Sequence, residues 1–247
     1  MLAIIGGSGL YTLGDDFHLR DQLSRQTPYG DTSADVLLGT WQEVDIAFLP
    51  RHGAEHAVPP HAVNSRANLW ALGQAGVDCI IAVNAVGGIG AEMAPGTLVL
   101  PRQLIDYSCG REHSFHDGSD GKVRHVDFSQ PYSADLQDGL LQAARQLQLL
   151  LLHSGTYGCT NGPRFETAAE IERMRRDGCS IVGMTGMPEA ALARELDIDY
   201  ACLAVVVNWA AGIGDDDISM EDIMAVLEHG VGEIRPLLLA AARLLNR

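Results

Sequence analysis

Apolar residues fall along this chain in short unbroken runs, separated by stretches in which they recur every three or four positions. The runs at Leu2–Ile5, Asp35–Leu38, Val44–Leu49, Asp78–Val83, Thr97–Leu100, Ser180–Gly183 and Tyr200–Val207 predict strands. Several are apolar throughout rather than alternating, as expected of strands covered on both faces. Between them the spacing turns helical. Val63, Ala67, Trp70 and Ala71 share one face of Ala62–Gly73, and Leu136, Leu140, Ala144 and Leu147 share one face of Ser133–Gln148. Thr167–Asp177 and Glu189–Leu196 are further helices. Ser219–Leu245 is the longest, with Ile223, Leu227, Val231, Ile234 and Leu238 along one stripe. This alternation predicts an α/β chain with one domain over residues 1–247, a three-layer sandwich whose central mixed, largely parallel sheet is flanked by helices. Ligands of such sheets sit at the carboxyl ends of strands. The stretch Tyr107–Tyr132, rich in His, Gly and Asp, shows no element of its own, and a loop that long usually carries function or covers a neighbour.

Composition narrows the partners. With 47% hydrophobic residues in 247, the chain can bury a substantial core. Its 17 basic and 32 acidic residues give a net charge of −15, which opposes a broad grip on nucleic acid or an anionic membrane, so an anionic ligand needs a local pocket. The five scattered cysteines contain no Cys-x-x-Cys pair and fit reduced thiols in a cytoplasm. No run suggests a signal peptide or membrane span.

Gly6-Gly7-Ser8-Gly9 directly follows the first strand, an arrangement suited to an anion. A dinucleotide fingerprint fails because Thr12 stands where its third glycine belongs, and a P-loop fails because Leu10-Tyr11 replaces its Lys-Ser or Lys-Thr. A smaller phosphate-like group remains, beside a purely structural turn. Arg51-His52-Gly53-Ala54-Glu55-His56 contains His-x-x-Glu-His, the spacing of one class of zinc peptidases. That motif requires a helix, whereas this segment leaves a strand, contains Gly53 and runs into Pro59-Pro60. Arg51 and His52 read instead as donors at a strand end, or as a solvated loop.

Four separated stretches carry a resemblance: Gly6-Gly7-Ser8-Gly9-Leu10, Pro50-Arg51-His52-Gly53, Asn161-Gly162-Pro163-Arg164-Phe165-Glu166-Thr167, and Gly183-Met184-Thr185-Gly186-Met187-Pro188-Glu189. With Val83-Asn84-Ala85-Val86-Gly87-Gly88 between them, the chain resembles the trimeric purine nucleoside phosphorylases, above all their methylthioadenosine phosphorylase branch. The resemblance implies phosphorolysis: inorganic phosphate attacks the anomeric carbon, releasing a purine and a sugar 1-phosphate, with no cofactor and no metal. It implies phosphate binding by Ser8, Arg51, His52, Asn84, Ala85 and Thr185. Asn208 and Glu166 become the catalytic pair on the purine, Phe165 packs on its face, and Met184 contacts the ribose. It also implies a cytoplasmic homotrimer with shared sites, in which His125 reaches a neighbour.

Two departures from the methylthioadenosine branch bear on specificity. That branch typically has Ser at the position of Glu166 and an Asp-x-Asp pair at Asn208-Trp209-Ala210. Glu166 can accept from the N1–H that hypoxanthine and guanine carry and adenine lacks, and the Asn208 amide can donate to a 6-oxo group or accept from N7–H, so the base is expected to be a 6-oxopurine. By alignment with the same branch, Met220, Ile223 and Met224 form an apolar wall for the 5′ substituent, although such spacing also fits plain core packing. The expected substrate is S-methyl-5′-thioinosine, with inosine or guanosine, and then methylthioadenosine, as alternatives. A nucleosidase using water, a zinc peptidase and a non-catalytic binding protein are the competing classes.

Overall fold

The computed structural model describes residues 1–116, 118, 121–214 and 219–245. In chain order the elements are β1 (Leu2–Gly6), β2 (Phe17–Leu23), β3 (Gln26–Thr27), β4 (Gly30–Asp31), β5 (Val36–Trp41), β6 (Val44–Pro50), α1 (Ser65–Gln74), β7 (Cys79–Gly88), β8 (Leu98–Leu100) and β9 (Gln103–Asp106). They continue as α2 (Ala134–Leu147), β10 (Leu151–His153), β11 (Thr156–Cys159), α3 (Ala168–Arg176), β12 (Ile181–Gly183), α4 (Gly186–Glu195), β13 (Asp199–Trp209) and α5 (Met220–Leu245).

One sheet runs in the order β10-β8-β13-β7-β1-β6-β5-β2, with β12, β11 and β9 branching from the end of β7. The central strands β13, β7, β1 and β6 are parallel, while β5, β2, β8 and β12 add antiparallel pairings. Alternation along the central strands divides the core. Leu2 and Ile4 of β1, with Ile81, Leu203 and Val205, pack under α2 and α5; Ala3 and Ile5, with Ile80, Ala82, Cys202 and Ala204, pack under α1 and α4. Helices thus cover both faces, as the unbroken apolar runs imply. The expected three-layer sandwich with a mixed, largely parallel sheet is what forms. Among the described residues no helix is long and apolar enough to cross a membrane.

The differences from expectation are local. β2 lies at a sheet edge with most residues exposed, so Phe-His-Leu-Arg-Asp-Gln-Leu carries no burial signal. The strands β9, β10 and β11, three or four residues each, are too short to stand out as runs. The helix expected from Ala62 starts at Ser65, because Pro60–Ala62 form a 3₁₀ turn and Asn64 caps α1 by accepting from the Ala67 N–H at 3.1 Å. α4 begins at Gly186, three residues before the expected start, with Met187 out of helical geometry. β7 extends to Gly88, so Asn84 and Ala85 lie within a strand rather than after one. Tyr107–Tyr132 has no helix or strand among its described residues.

Candidate active site

A cavity of about 430 Å³ opens at the carboxyl ends of β1, β6, β7, β12 and β13, within the span of roughly 300–1,000 Å³ common for small-molecule sites. It collects Gly7 and Ser8, Arg51 and His52, Ala85, Phe165 and Glu166, Met184 and Thr185, Asn208, and Met220, Ile223 and Met224. Of the residues singled out from the sequence, Asn84 and His125 do not line it.

At the floor, Gly7–Leu10 form a turn closed by a hydrogen bond from the Leu10 N–H to the Gly7 carbonyl at 3.1 Å. A Cβ on Gly7 would lie 2.3 Å from the Val83 carbonyl oxygen, so packing against β7 already demands this glycine. Ser8 alone of this turn brings a hydroxyl to the cavity wall.

Arg51 follows β6 and is fully buried. Its Nε and Nη2 donate to the Glu189 carboxylate at 2.5 and 2.9 Å, and Nη1 donates to the Val83 carbonyl at 2.8 Å. Burial opposes the guanidinium charge, but Glu189 more than offsets it and raises the pKa above its ordinary value. The Tyr200 hydroxyl also donates to Glu189, at 3.0 Å. Arg51 is therefore not a bare cation awaiting phosphate, as the sequence suggested. The pair is close to neutral, and Arg51 offers one remaining N–H on each Nη. Glu189, missed as a functional residue, was legible as a lone carboxylate in the apolar run Met-Pro-Glu-Ala-Ala-Leu-Ala, which requires a buried cation.

His52 needs a correction of sense. Its Nδ1 sits 2.8 Å from the Val58 carbonyl, which can only accept, so Nδ1 carries the proton. Burial first, and the neighbouring Arg51 charge second, push its pKa down to about 4. The ring is neutral near pH 7, and Nε2 is an acceptor rather than the expected donor; toward a phosphate it suits a P–OH. One consequence is measurable in the stability curve. An unfolded histidine titrates near 6.5, so between that value and about 4 the unfolded chain binds more protons and acidification weakens the fold, by about 2 kcal/mol at pH 5. His52→Asn, which keeps an N–H for Val58, should lose less stability than the wild type between pH 7 and pH 5 in urea unfolding. Parallel losses in the two proteins would refute the buried neutral imidazole.

The zinc-peptidase geometry is not formed. Residues 51–56 are turns, with Gly53 and His56 at φ of 81° and 55°, rather than a helix. His56 lies between Tyr11 and His52 at the cavity wall, edge-on to the first and tilted against the second, with ring centroids 5.3 and 4.9 Å away. The sequence raised His56 only as a candidate zinc ligand, and did not raise Tyr11 as a cavity residue.

Asn84 is buried in β7 and donates from Nδ2 to the Thr185 Oγ1 at 2.8 Å. The expected donor at this point is the Asn84–Ala85 main chain; of the two residues Ala85 lines the cavity, and the Asn84 side chain acts one layer back. With Thr185 Oγ1 accepting from Asn84, its own O–H is free to point into the cavity.

At the opposite end, Phe165 and Glu166 precede α3, whose start fixes them. The Thr167 hydroxyl accepts from the Glu170 N–H at 3.1 Å, Glu170 accepts from the Thr167 N–H at 2.7 Å, and Arg164 clasps Glu170 with two bonds of 2.8 Å. Thr160 donates its hydroxyl to Glu166 Oε1 at 2.6 Å, leaving Oε2 available. Asn208 lies within β13 after a bulge at Val207, which allows both consecutive residues to line the cavity where a regular strand would turn one away. Its Nδ2 donates to the Trp209 carbonyl at 2.7 Å, leaving Oδ1 and the second N–H for a ligand. At the mouth, Met220 and Met224 are 59% and 49% exposed and Phe165 is 40% exposed, whereas Ile223, on the inner side of α5, is buried in the core. The methionines are thus no core stripe. His125 is exposed and outside the cavity of its own chain.

Among the described residues no group of three or more His, Cys, Asp or Glu is arranged to hold a metal ion. The cavity offers hydroxyl, guanidinium and main-chain donors at one end, a carboxylate and an amide at the other, and thioethers at its mouth.

The chain is similar in sequence and fold to known proteins. A sequence profile described as the Phosphorylase superfamily covers residues 2–243. A probable S-methyl-5′-thioinosine phosphorylase of Pseudomonas syringae is 50% identical over 236 residues, 96% of each chain. A 6-oxopurine nucleoside phosphorylase of Pyrococcus furiosus is 43% identical over 253 residues, 100% of this chain and 93% of that one. The crystal structure of methylthioadenosine phosphorylase from Schistosoma mansoni in complex with adenine superposes with a TM-score of 0.92 at 31% identity, over 99% of this chain and 91% of that one.

Proposed function

The chain belongs to the phosphorylase superfamily, and on that premise we propose that it catalyses phosphorolysis of a 6-oxopurine nucleoside, with S-methyl-5′-thioinosine preferred. Phosphate bonds to C1′ as the C1′–N9 bond breaks, giving hypoxanthine and 5-methylthioribose 1-phosphate. The observation that carries this reading is the pairing of Glu166 and Asn208 in one cavity with the Ser8, Arg51, His52 and Thr185 cluster.

Ser8, Thr185 and the free N–H groups of Arg51 hold the phosphate, with the Ala85 main chain beside them, and His52 Nε2 accepts its remaining proton. As the glycosidic bond breaks, the purine departs with the bonding electron pair. Stabilising that leaving group therefore lowers the barrier more than binding the intact nucleoside does. N7, which bears no hydrogen in the nucleoside, takes a proton from solvent water as the base departs; Asn208 Oδ1 then accepts from that N7–H while its free N–H donates to the 6-oxo group, and Glu166 Oε2 accepts from N1–H. Phe165 covers the base, Met184 lies along the ribose, and Met220, Ile223 and Met224 receive the 5′ methylthio group. Soft, polarisable thioethers suit that group better than a hydroxyl. A homotrimer completes the reading: His125, between Val123 and Val126 on the chain surface, reaches the open mouth of a neighbour. The free thiols fit a cytoplasmic role in purine salvage.

The relatives named 6-oxopurine nucleoside phosphorylases favour a second reading, in which inosine or guanosine is the natural substrate and the mouth is indifferent to the 5′ group. Initial rates with methylthioinosine, methylthioadenosine, inosine and guanosine, each with and without phosphate, separate these. Phosphate-dependent turnover fastest with methylthioinosine is expected. A preference for inosine would leave the base site standing and remove the 5′ reading, a preference for methylthioadenosine would refute the base reading, and turnover without phosphate would make the protein a nucleosidase.

A further inference from the structure

Arg111 comes from the long segment after β9, and its side chain runs into the protein behind the cavity. Nη1 donates to the Met187 carbonyl at 2.5 Å, and the two hydrogens of Nη2 are shared among the carbonyls of Met184, Asn161 and Thr160 at 2.8, 2.9 and 3.2 Å. These four oxygens belong to two chain segments. Thr160 and Asn161 leave β11 toward Glu166; Met184 and Met187 flank Thr185 at the start of α4. The planar, rigid fork of a guanidinium can bridge such carbonyls in a fixed geometry, which an ammonium cannot.

The residues around Arg111 are anchored so that the side chain arrives in one place. The Tyr107 N–H donates to the Cys159 carbonyl at 2.8 Å. Asn161 makes a reciprocal pair with Cys109, accepting from its N–H at 3.1 Å and donating to its carbonyl at 3.0 Å. On the far side, Ser114 Oγ and the Phe115 N–H each donate to the Glu195 carboxylate at 2.7 Å, at the last turn of α4. The strap is thus tied to the segment over residues 159–161 that Arg111 bridges and to the far end of the helix that begins at the other segment.

Each segment leads directly to a cavity group. The Thr160 carbonyl is held by Arg111 while the Thr160 hydroxyl holds Glu166 Oε1. Met184 and Met187, whose carbonyls Arg111 also holds, enclose Thr185, whose hydroxyl is set by Asn84. We propose that Arg111 is a positioning residue that fixes the distance between the base-binding carboxylate and the phosphate-binding threonine, so that nucleoside and phosphate meet in register. This rests on the phosphorolysis reading above. It predicts that loosening Arg111 degrades both substrates' sites together and relaxes the choice of base, because Glu166 is located through Thr160. A misplacement of about 1 Å at a reacting centre costs on the order of 100-fold.

The test compares full-length wild type with Arg111→Lys, which keeps the charge, and Arg111→Ala, with and without added guanidinium ion. KM for phosphate, KM for methylthioinosine, kcat, the methylthioinosine to methylthioadenosine ratio of kcat/KM, and the thermal midpoint are measured for each. Arg111→Lys is expected to raise both KM values and lower kcat/KM by about 10- to 100-fold, with a reduced base ratio. Guanidinium ion should restore part of the rate of Arg111→Ala and leave Arg111→Lys unchanged. If Arg111→Lys falls within twofold of the wild type in both KM values and in the base ratio, the proposal is overturned, whatever the change in thermal midpoint. A change in one substrate's KM alone also overturns it. A wild type that turns over no 6-oxopurine nucleoside overturns the parent reading and this one together, whereas an active wild type with an unaffected Lys variant overturns only the role of Arg111.

Discussion

Arg51→Met is expected to remove phosphate-dependent turnover, lowering kcat/KM for phosphate by about 1,000-fold or more, and to destabilise the chain by about 3–5 kcal/mol. The two losses have different causes. Stability falls because Glu189 is fully buried and would keep a charge answered only by the Tyr200 hydroxyl. A buried ion pair broken on one side costs far more than the pair contributes when whole, and replacing both members with apolar groups is often neutral. The variant carrying Arg51→Met and Glu189→Leu together should therefore recover most of the stability. It should not recover turnover, because the N–H groups that Arg51 turns toward the cavity are still missing. Urea midpoints and steady-state rates on the two variants settle the matter. Recovery of turnover alongside stability would make Arg51 a structural cation and remove it from the phosphate site. Phosphate-dependent turnover retained by Arg51→Met alone would do the same more directly.

That pair also marks where sequence reasoning reaches its limit. The strands β1, β6, β7 and β13 were legible because burial on both faces leaves an unbroken apolar run, and the residues following β1, β6 and β12 were rightly taken as cavity residues because parallel sheets bind ligands there. The partners of those residues were not legible. Arg51 and Glu189 are 138 positions apart, and only folding reveals that the donor already has an acceptor. The role of His52 turns on one carbonyl six residues later, which fixes the tautomer. The pattern could not tell which neighbour in a strand faces the ligand: Ala85 lines the cavity while Asn84 points to Thr185 behind it. The bulge that turns both Val207 and Asn208 inward follows from the register of β13 against β7, which no local pattern records. Net charge gave an incomplete physical reason. A chain of net charge −15 leaves room for a local anion pocket, but the cavity floor presents a nearly neutral ion pair and an array of donors rather than surplus positive charge.

The base end yields the other large effect, a switch of specificity. Asn208→Asp should make nucleosides of 6-aminopurines better substrates relative to their 6-oxo counterparts, as judged by kcat/KM, and with Glu166→Ser added the preference should invert, the ratio moving by about 10³-fold or more in all. The reason lies in which atoms are left free. Asn208 commits Nδ2 to the Trp209 carbonyl and keeps Oδ1 and one N–H, an acceptor beside a donor, which complements N7–H beside a 6-oxo group. Against the 6-amino group of adenine the same N–H meets another donor. A carboxylate at this position has only acceptors, suited to N7–H beside an amino group, but facing a 6-oxo group it sets acceptor against acceptor. Glu166 adds the second check. With Oε1 occupied by Thr160, its free Oε2 finds N1–H on hypoxanthine and only a lone pair on adenine, and losing a hydrogen bond to a charged group costs about 1.5–3 kcal/mol. Serine can donate to that lone pair, so the penalty disappears. Thr160→Val, which frees Oε1 without removing the carboxylate, should blunt discrimination by less than either change at Glu166 or Asn208. The measurement is kcat/KM for the matched pairs methylthioinosine with methylthioadenosine and inosine with adenosine. The matched pairs hold the sugar constant, so a shift in both assigns the effect to the base edge, and ratios unchanged in Asn208→Asp and in the double variant would take Asn208 and Glu166 out of base recognition.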